Sequence, residues 1–274
     1  MQLRVILAAS DLRAAPDQAI DTARCLAGLT GTELHVMHCV RRRVDARRVP
    51  DHVIDAARRE LEARAPEAVS VTILPGVPHR AIRNYSEAVG ADIMVLGPRM
   101  RHSALDNALG STADRVLRTT RRPTLLANGT LSSHPTRILV PVDESESARR
   151  AVTATGALLA TLARRGHAAA GMVHLLHVDA SGEPDHDSAR HVDLDSLAAM
   201  LESRAEGWRG DISYSVDTAP FVDEGILTFS ESFRPDLVVM GTRADGLLVR
   251  ALFGSVALDV ARVVPRPLLL IPQS

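Results

Sequence analysis

Two kinds of residue in this 274-residue chain are spaced so that they could bind a phosphorylated ligand. Aspartates end two apolar runs, Asp11 after RVILAAS and Asp143 after RILVPV, and Gly110–Ser111 and Gly254–Ser255 each precede a helical pattern. A Gly-Ser helix start offers a side-chain cap, free N–H groups and the positive end of the helix dipole, which together suit a phosphate. A carboxylate can accept a hydrogen bond from an adenine amino group or a ribose hydroxyl.

These features occur twice because the sequence is internally duplicated. The segments 4–11, 33–40, 91–100 and 109–127 align with 137–143, 172–179, 235–244 and 253–271. The polar stretch at about 128–136 is typical of a linker, which predicts a first domain over 1–130 and a second over 136–274. Ordinary α/β domains also contain such caps and turns, but recurrence at the same loop length favours a shared ancestral site.

Each copy alternates short β-branched runs with helical patterns. The runs of the first copy are VILAA, LHVMHCV, VSVTIL, DIMVLG and PTLLA, as expected for strands covered on both faces. Helical spacing covers about 16–29, 51–65, 78–89 and 111–120. Five strands alternating with four helices predict an α/β fold, with a doubly wound five-stranded parallel sheet in each domain. Ligands of such sheets bind beyond the carboxyl ends of the strands, where the strand order reverses.

The composition excludes several functions. Apolar residues make up 46% and charged residues 24%, which is typical of a globular protein, and the net charge of −1 gives no field for nucleic acid or a membrane surface. All 32 basic residues are arginine, so a Walker A loop, a Schiff-base enzyme and a kinase are excluded. Two cysteines and a start, MQLRVILAAS, without secretory features lead us to expect a cytoplasmic protein.

The spacing of the glycine loops resembles that of the universal stress protein family. Its members carry an aspartate after strand one and, after strand four, Gly, two residues, Gly, nine residues, and Gly-Ser or Gly-Thr. The second copy reads Gly241-Thr-Arg-Ala244, nine residues and Gly254–Ser255, and the first reads Gly97-Pro-Arg-Met100, nine residues and Gly110–Ser111. The resemblance covers essentially the whole chain as two tandem domains, and it implies a fold like that of the adenine nucleotide alpha hydrolases.

The resemblance also implies a function. It implies a stress-response signalling or regulatory module that binds ATP or another adenine nucleotide, alone or with Mg²⁺. Because some members bind no nucleotide, the alternative is a structural or interaction module that has lost the ligand site. The implied adenosine contacts are Pro141, Val142, Asp143, Val178 and Met240 in the second copy, and Ala9, Ser10, Asp11, Cys39 and Leu96 in the first. The implied phosphate contacts are Gly241, Thr242, Arg243, Gly254, Ser255 and Val256, and in the first copy Gly97, Arg99, Gly110, Ser111 and Thr112.

The two copies depart from the family pattern in different places. The middle glycine is Met100 in one copy and Ala244 in the other, and a non-glycine residue at a left-handed position costs about 1 kcal/mol or more. Pro98 removes an N–H next to the first glycine, whereas the second copy keeps Thr242 there. We therefore expect the second copy to retain nucleotide better than the first.

The remaining candidate residues have structural interpretations. His35 and His38 recur as His174 and His177, and a spacing of three puts each pair on opposite faces of a strand. We expect packed or hydrogen-bonded histidines and no metal site. Cys25, like Cys39, is expected to be a small core residue.

Arg99 and Arg243 each lie two residues after the first glycine of the loop. Such an arginine could clamp a phosphate or lie in solvent. Without a general base beside the loop, we expect no catalytic residue and at most a slow ATPase.

The apolar fifth strands, TLLAN and PLLLIP, are expected to pair with each other as an intramolecular pseudo-dimer, with homodimer formation left open.

Overall fold

The computed structural model describes residues 3–13, 16–41, 48–97, 111–167, 171–180, 192–242 and 255–273, with only the backbone of residue 111. The first repeat alternates strands and helices throughout. Its elements are β1 (Val5–Ser10), α1 (Gln18–Thr30), β2 (Glu33–Val40), α2 (Asp51–Arg64), β3 (Ser70–Pro75), α3 (Pro78–Ala88), β4 (Ile93–Leu96), α4 (Ser111–Leu117) and β5 (Thr124–Leu126).

The second repeat has the same order of elements. They are β6 (Arg137–Pro141), α5 (Glu146–Arg164), β7 (Met172–Asp179), α6 (Leu194–Arg204), β8 (Asp211–Thr218), α7 (Val222–Phe233), β9 (Leu237–Gly241), α8 (Ser255–Val263) and β10 (Leu268–Ile271). Side-chain caps fix several helix starts, as where Asp17 accepts from the Ile20 N–H and Ser145 from the Ala148 N–H. The predicted helices and strands of the first repeat are present with small shifts at their ends.

All ten strands join one sheet, in the order β3-β2-β1-β4-β5-β10-β9-β6-β7-β8. The strands are parallel within each repeat, which confirms the predicted fold class. At the centre β5 and β10 pair antiparallel, with Leu125 opposite Leu269. The expected pairing of the fifth strands therefore merges two five-stranded sheets into one continuous sheet.

Helices cover both faces of this sheet. Consecutive strand residues point to opposite sides, so Ile6 belongs to the apolar cluster that includes α1, α2, α5 and α6, whereas Leu7 belongs to the cluster that includes α3, α4, α7 and α8. Burial on both faces explains why the strands are almost uninterrupted apolar runs. No helix among the described residues is both long enough and apolar enough to cross a bilayer.

A duplicated aspartate fixes the amino-terminal edge of the sheet. Asp92, just before β4, accepts hydrogen bonds from the N–H groups of Arg4 (2.7 Å) and Val5 (2.9 Å). Asp236, just before β9, accepts from the N–H groups of Thr136 (2.8 Å) and Arg137 (3.0 Å). Each carboxylate thus holds the start of the first strand beside the fourth strand of its repeat.

The junction between the repeats is also tied by side chains. Asn128 follows β5, and its side-chain amide donates to the carbonyls of Ala261 (3.2 Å) and Val264 (3.4 Å) at the end of α8. Cys25 of α1 lies 3.5 Å from the Ser132 carbonyl. The segment between the repeats is therefore packed against both of them.

Candidate functional site

The strand order brings the predicted aspartate and glycine of each repeat to one place. In each repeat the order reverses between the first and fourth strands, β1 beside β4 and β6 beside β9. Asp11 follows β1 and Gly97 follows β4, while Asp143 follows β6 and Gly241 ends β9. Because parallel strands end at a common edge, both repeats place an acceptor carboxylate next to a glycine at the switch point where such sheets bind ligands.

In the second repeat the aspartate is built into a turn. One oxygen of Asp143 accepts the Ser145 N–H at 2.9 Å and also the Ser145 hydroxyl. The Ser145 hydroxyl in turn accepts the Ala148 N–H at 3.1 Å and so begins α5. These bonds fix the half-buried Asp143 carboxylate at the mouth of the switch point.

Gly241 allows α5 to approach the end of β9. A Cβ atom at this position would lie 2.2 Å from the Ser147 carbonyl oxygen, which is too close for any side chain. Thr242 is fully buried, and its N–H donates to the Ile271 carbonyl at 2.9 Å. A phosphate contact at Thr242 would require this bond to strand β10 to open.

The other residues implied for adenosine differ in accessibility. Pro141, Val142 and Val178 are buried, with Val142 in the apolar cluster that includes α5 and Val178 in the cluster that includes α7. Only their backbone and the edges of their side chains could therefore face a ligand. Met240 is half-buried beside Gly241. Ser255 and Val256 are the first two residues of α8, so their N–H groups belong to the first turn, which has no intrahelical partners.

The first repeat has the same layout with a different environment. Asp11 is exposed and accepts the Arg13 N–H at 3.0 Å, while the Ser10 hydroxyl bonds to Asp17. The Arg64 side chain reaches from α2 to Asp17 (3.4 Å) and to the Leu12 carbonyl (3.5 Å). A guanidinium group therefore lies across the end of β1, with no counterpart among the described contacts of the second repeat.

The remaining first-repeat positions lie where the topology predicts. Ala9 of β1 is directly opposite Leu96 of β4, and Cys39 lies near the end of β2. Thr112 is half-buried in the first turn of α4, and only the backbone of Ser111 is described. Arg99, Gly110, Arg243 and Gly254 lie outside the described residues, together with Pro98, Met100 and Ala244.

In each repeat a histidine contacts the residue that precedes the aspartate. His38 Nδ1 lies 2.9 Å from the Ser10 carbonyl, and His177 Nδ1 lies 3.0 Å from the Val142 carbonyl. Because a carbonyl only accepts, each Nδ1 must donate. Both imidazoles therefore position the residue just before the aspartate. In the sequence, the only sign of this role is the His-x-x-His spacing, which occurs in both repeats.

The four repeated histidines are hydrogen-bonded, and the two cysteines are half-buried. All four repeated histidines have hydrogen-bond partners, which confirms their structural interpretation. Burial raises the pKa of the Cys25 and Cys39 thiols, so neither is set up as a reactive thiolate. The described part of the chain contains no group of three or more His, Cys, Asp or Glu side chains that could hold a metal ion.

Comparison with known proteins supports the duplicated architecture. The family model described as "Universal stress protein family" matches residues 2–128 and again residues 135–272. No curated protein matches this chain.

Solved structures match over the full length of the chain. A universal stress protein from Archaeoglobus fulgidus is 18% identical with a TM-score of 0.69, covering 100% of both chains. A putative universal stress protein from Pseudomonas aeruginosa is 20% identical with a TM-score of 0.63, covering 98% of this chain and 94% of its own. At these identities the likeness shows the fold.

Proposed function

Because this chain belongs to the universal stress protein family, we propose that its second repeat binds an adenine nucleotide and that occupancy of this site regulates a stress response. The proposal rests chiefly on one observation. Asp143 and Gly241 end neighbouring strands at the switch point of the second repeat. This is the place in a doubly wound sheet where ligands bind.

Each group at this edge has a suitable chemical role. The Asp143 carboxylate, which has more than one acceptor site, would accept from the adenine amino group or a ribose hydroxyl. Val142 and Val178 pack on opposite faces of the sheet, and their exposed edges offer a small apolar contact for the purine. The N–H groups of Ser255 and Val256 at the start of α8 would bind the phosphates, together with the predicted loop contacts Arg243 and Gly254.

Several contacts favour the second repeat over the first. Asp143 is half-buried and fixed by Ser145, whereas Asp11 is exposed. Arg64 lies across the corresponding strand end of the first repeat. We propose that the first repeat contributes mainly structure, although its equivalent contacts at Ala9, Asp11 and Gly97 keep the ancestral arrangement.

The test is equilibrium binding of ATP to the purified full-length chain, with and without Mg²⁺. We expect saturable binding together with a rise in melting temperature, since a ligand that binds only the folded state stabilises it by mass action. Mass spectrometry of the denatured protein would identify any nucleotide that copurifies. The absence of binding at millimolar ATP with divalent metal would contradict the proposal.

The second candidate is a structural or interaction module without nucleotide. Two observations favour it: both the N–H and the hydroxyl of Thr242 point to the Ile271 carbonyl, and β5 and β10 join the repeats into one sheet. An unchanged melting temperature across an ATP titration would support this candidate. Fast ATP turnover is expected under neither candidate.

A further inference from the structure

A cleft of about 600 Å³ opens in the first repeat at the amino-terminal edge of the sheet. It lies between the end of α3, the start of β4 and the turn that connects α4 to β5, and its walls include Arg83, Glu87, Asp92, Arg121 and Arg122. Asp11 and Gly97 follow the carboxyl ends of β1 and β4, at the opposite edge of the same sheet. The cleft is thus separate from the proposed nucleotide site.

The charges that line the cleft are predominantly positive. The Asp92 carboxylate is already engaged, since it accepts the backbone N–H groups of Arg4 and Val5. Arg122 donates to the Ala91 carbonyl at 2.6 Å, which holds its guanidinium group at the wall. With Glu87, the cleft is lined by two carboxylates and three guanidinium groups, which leaves a net positive charge.

Arg121 and Arg83 differ from Arg122 in how they are held. Arg121 is exposed and makes no hydrogen bond or ion pair with another described residue. Arg83 is half-buried and makes a 3.3 Å bond to the neutral Asn84 side chain. Neither guanidinium has a carboxylate partner among the described residues, so both can bind an incoming anion.

The surface of α3 and α4 that leads from the cleft towards the other edge of the sheet is also positive. His79, at the start of α3, has a pKa below its ordinary value, first because of burial and then because of the charges of Arg115, Arg80 and Arg83. A histidine acted on by three arginines indicates that the positive charge extends along the α3 and α4 surface. Such a surface attracts anions towards the cleft.

The second repeat shows that the fold does not require these arginines. In the sequence alignment of the two copies, Leu227 stands where the first repeat has Arg83. Pro265 replaces Arg121, and Arg266 alone keeps the basic residue of Arg122. The same helices and strands therefore form without the arginine cluster.

We propose that this cleft of the first repeat binds a small anion that carries two or more phosphate groups. Guanidinium forks match phosphate oxygens and bind them through paired charged hydrogen bonds. Two phosphate groups are expected because two guanidinium groups, Arg83 and Arg121, have no carboxylate partner among the described residues. The volume of the cleft lies within the range of small-molecule sites.

The test is calorimetric titration of sodium pyrophosphate into the full-length chain at low ionic strength. The unmodified chain should show saturable binding. Arg83→Gln and Arg121→Gln should each weaken it by at least about tenfold, since each removes charged hydrogen bonds. Arg266→Gln, at the position in the second repeat that corresponds to Arg122, should leave the affinity unchanged.

Thermal melts should show that all three variants are folded, which is expected because none of the three arginines is fully buried. Pyrophosphate titration of Asp143→Asn separates the two proposals, since Asp143 lies at the other edge of the sheet and this variant should keep the pyrophosphate affinity of the unmodified chain. The cleft proposal is overturned if millimolar pyrophosphate does not bind. It is equally overturned if Arg83→Gln and Arg121→Gln keep the affinity of the unmodified chain.

Discussion

The imidazole ring of His174 stacks on the ring of Phe229, with their centroids 4.6 Å apart and an interplanar angle of 25°. Its two nitrogens bond to the hydroxyls of Ser213 (2.8 Å) and Ser215 (2.9 Å) on the neighbouring strand. Hydroxyl groups can donate or accept, so they satisfy a neutral imidazole, which has one donor and one acceptor. This arrangement joins β7, β8 and α7.

The corresponding histidine of the first repeat, His35, has different partners. His35 bonds to the Ser70 hydroxyl at 2.7 Å, and the Tyr85 hydroxyl bridges Ser70 and Thr72. A tyrosine hydroxyl therefore completes the network in the first repeat, where the second repeat stacks a phenylalanine on the histidine. The duplicated histidines keep a common position while their surroundings have diverged.

We predict that His174 makes the protein less stable in mild acid. Burial lowers the pKa of His174, and Asp217 opposes that effect only in part. Below the ordinary histidine pKa the unfolded chain binds this proton more readily, so stability is complete above that range and falls as the pH drops through it. The slope cannot exceed about 1.4 kcal/mol per pH unit for one proton.

Denaturant unfolding between pH 5 and 8 measures this effect. His174→Gln should lower the overall stability but flatten the dependence on pH in the acidic range. His52→Gln, which removes an exposed histidine of α2, is the matched control and should leave the slope as it is. If stability falls with pH as steeply in His174→Gln as in the unmodified chain, His174 is not the group responsible.

We predict that the two loop glycines respond differently to alanine. At Gly241 a Cβ atom would lie 2.2 Å from the Ser147 carbonyl oxygen, so the start of α5 would have to move. At Gly97 the nearest atom, Cβ of Ala19, would be 3.9 Å away, which is ordinary contact. Gly241→Ala should cost about 1–3 kcal/mol, and Gly97→Ala should stay within about 0.5 kcal/mol. Thermal unfolding of the two variants provides the comparison, and equal losses would contradict it.

The sequence was sufficient to predict the fold because its strands are buried on both faces and its motifs are duplicated. The apolar runs located the strands of the first repeat, and the apolar fifth strands predicted the β5–β10 pairing. The unequal packing of Gly241 and Gly97 could not be predicted. Both occupy the same motif position, and their difference depends on how closely α5 and α1 approach the sheet.

For the candidate site too, the sequence predicted the positions of residues but not their tertiary contacts. The aspartate and glycine positions followed from spacing alone. The contact of His177 with the Val142 carbonyl depends on the register of β6 and β7, and the reach of Arg64 to the end of β1 depends on how α2 packs. Those relations exist only in the folded chain.

We predict that the duplicated edge aspartates contribute to stability to a similar extent. Asp92 and Asp236 each accept two backbone N–H groups, and hydrogen bonds to charged groups are worth about 1.5–3 kcal/mol when sheltered. Because these bonds are partly exposed, Asp92→Ala and Asp236→Ala should each cost about 1–2 kcal/mol. Glu231→Ala, on the surface of α7, serves as the control. A loss confined to one of the two aspartate variants would argue against equivalent roles.

The last prediction separates the two repeats as nucleotide sites. In the unmodified chain the Ser145 N–H donates to Asp143 at 2.9 Å, and Asp143→Asn keeps an oxygen that can accept this bond. The substitution removes the negative charge offered to adenosine. It should weaken ATP binding by at least about tenfold, since hydrogen bonds to a charged group are worth more than about 1.5 kcal/mol. Asp11→Asn should leave the affinity nearly unchanged, because Asp11 is exposed and Arg64 lies across that strand end. The readout is the shift in melting temperature across an ATP titration, which reports affinity without requiring turnover. An equal loss in both variants would mean that both repeats bind nucleotide, and a loss in Asp11→Asn alone would reverse their roles.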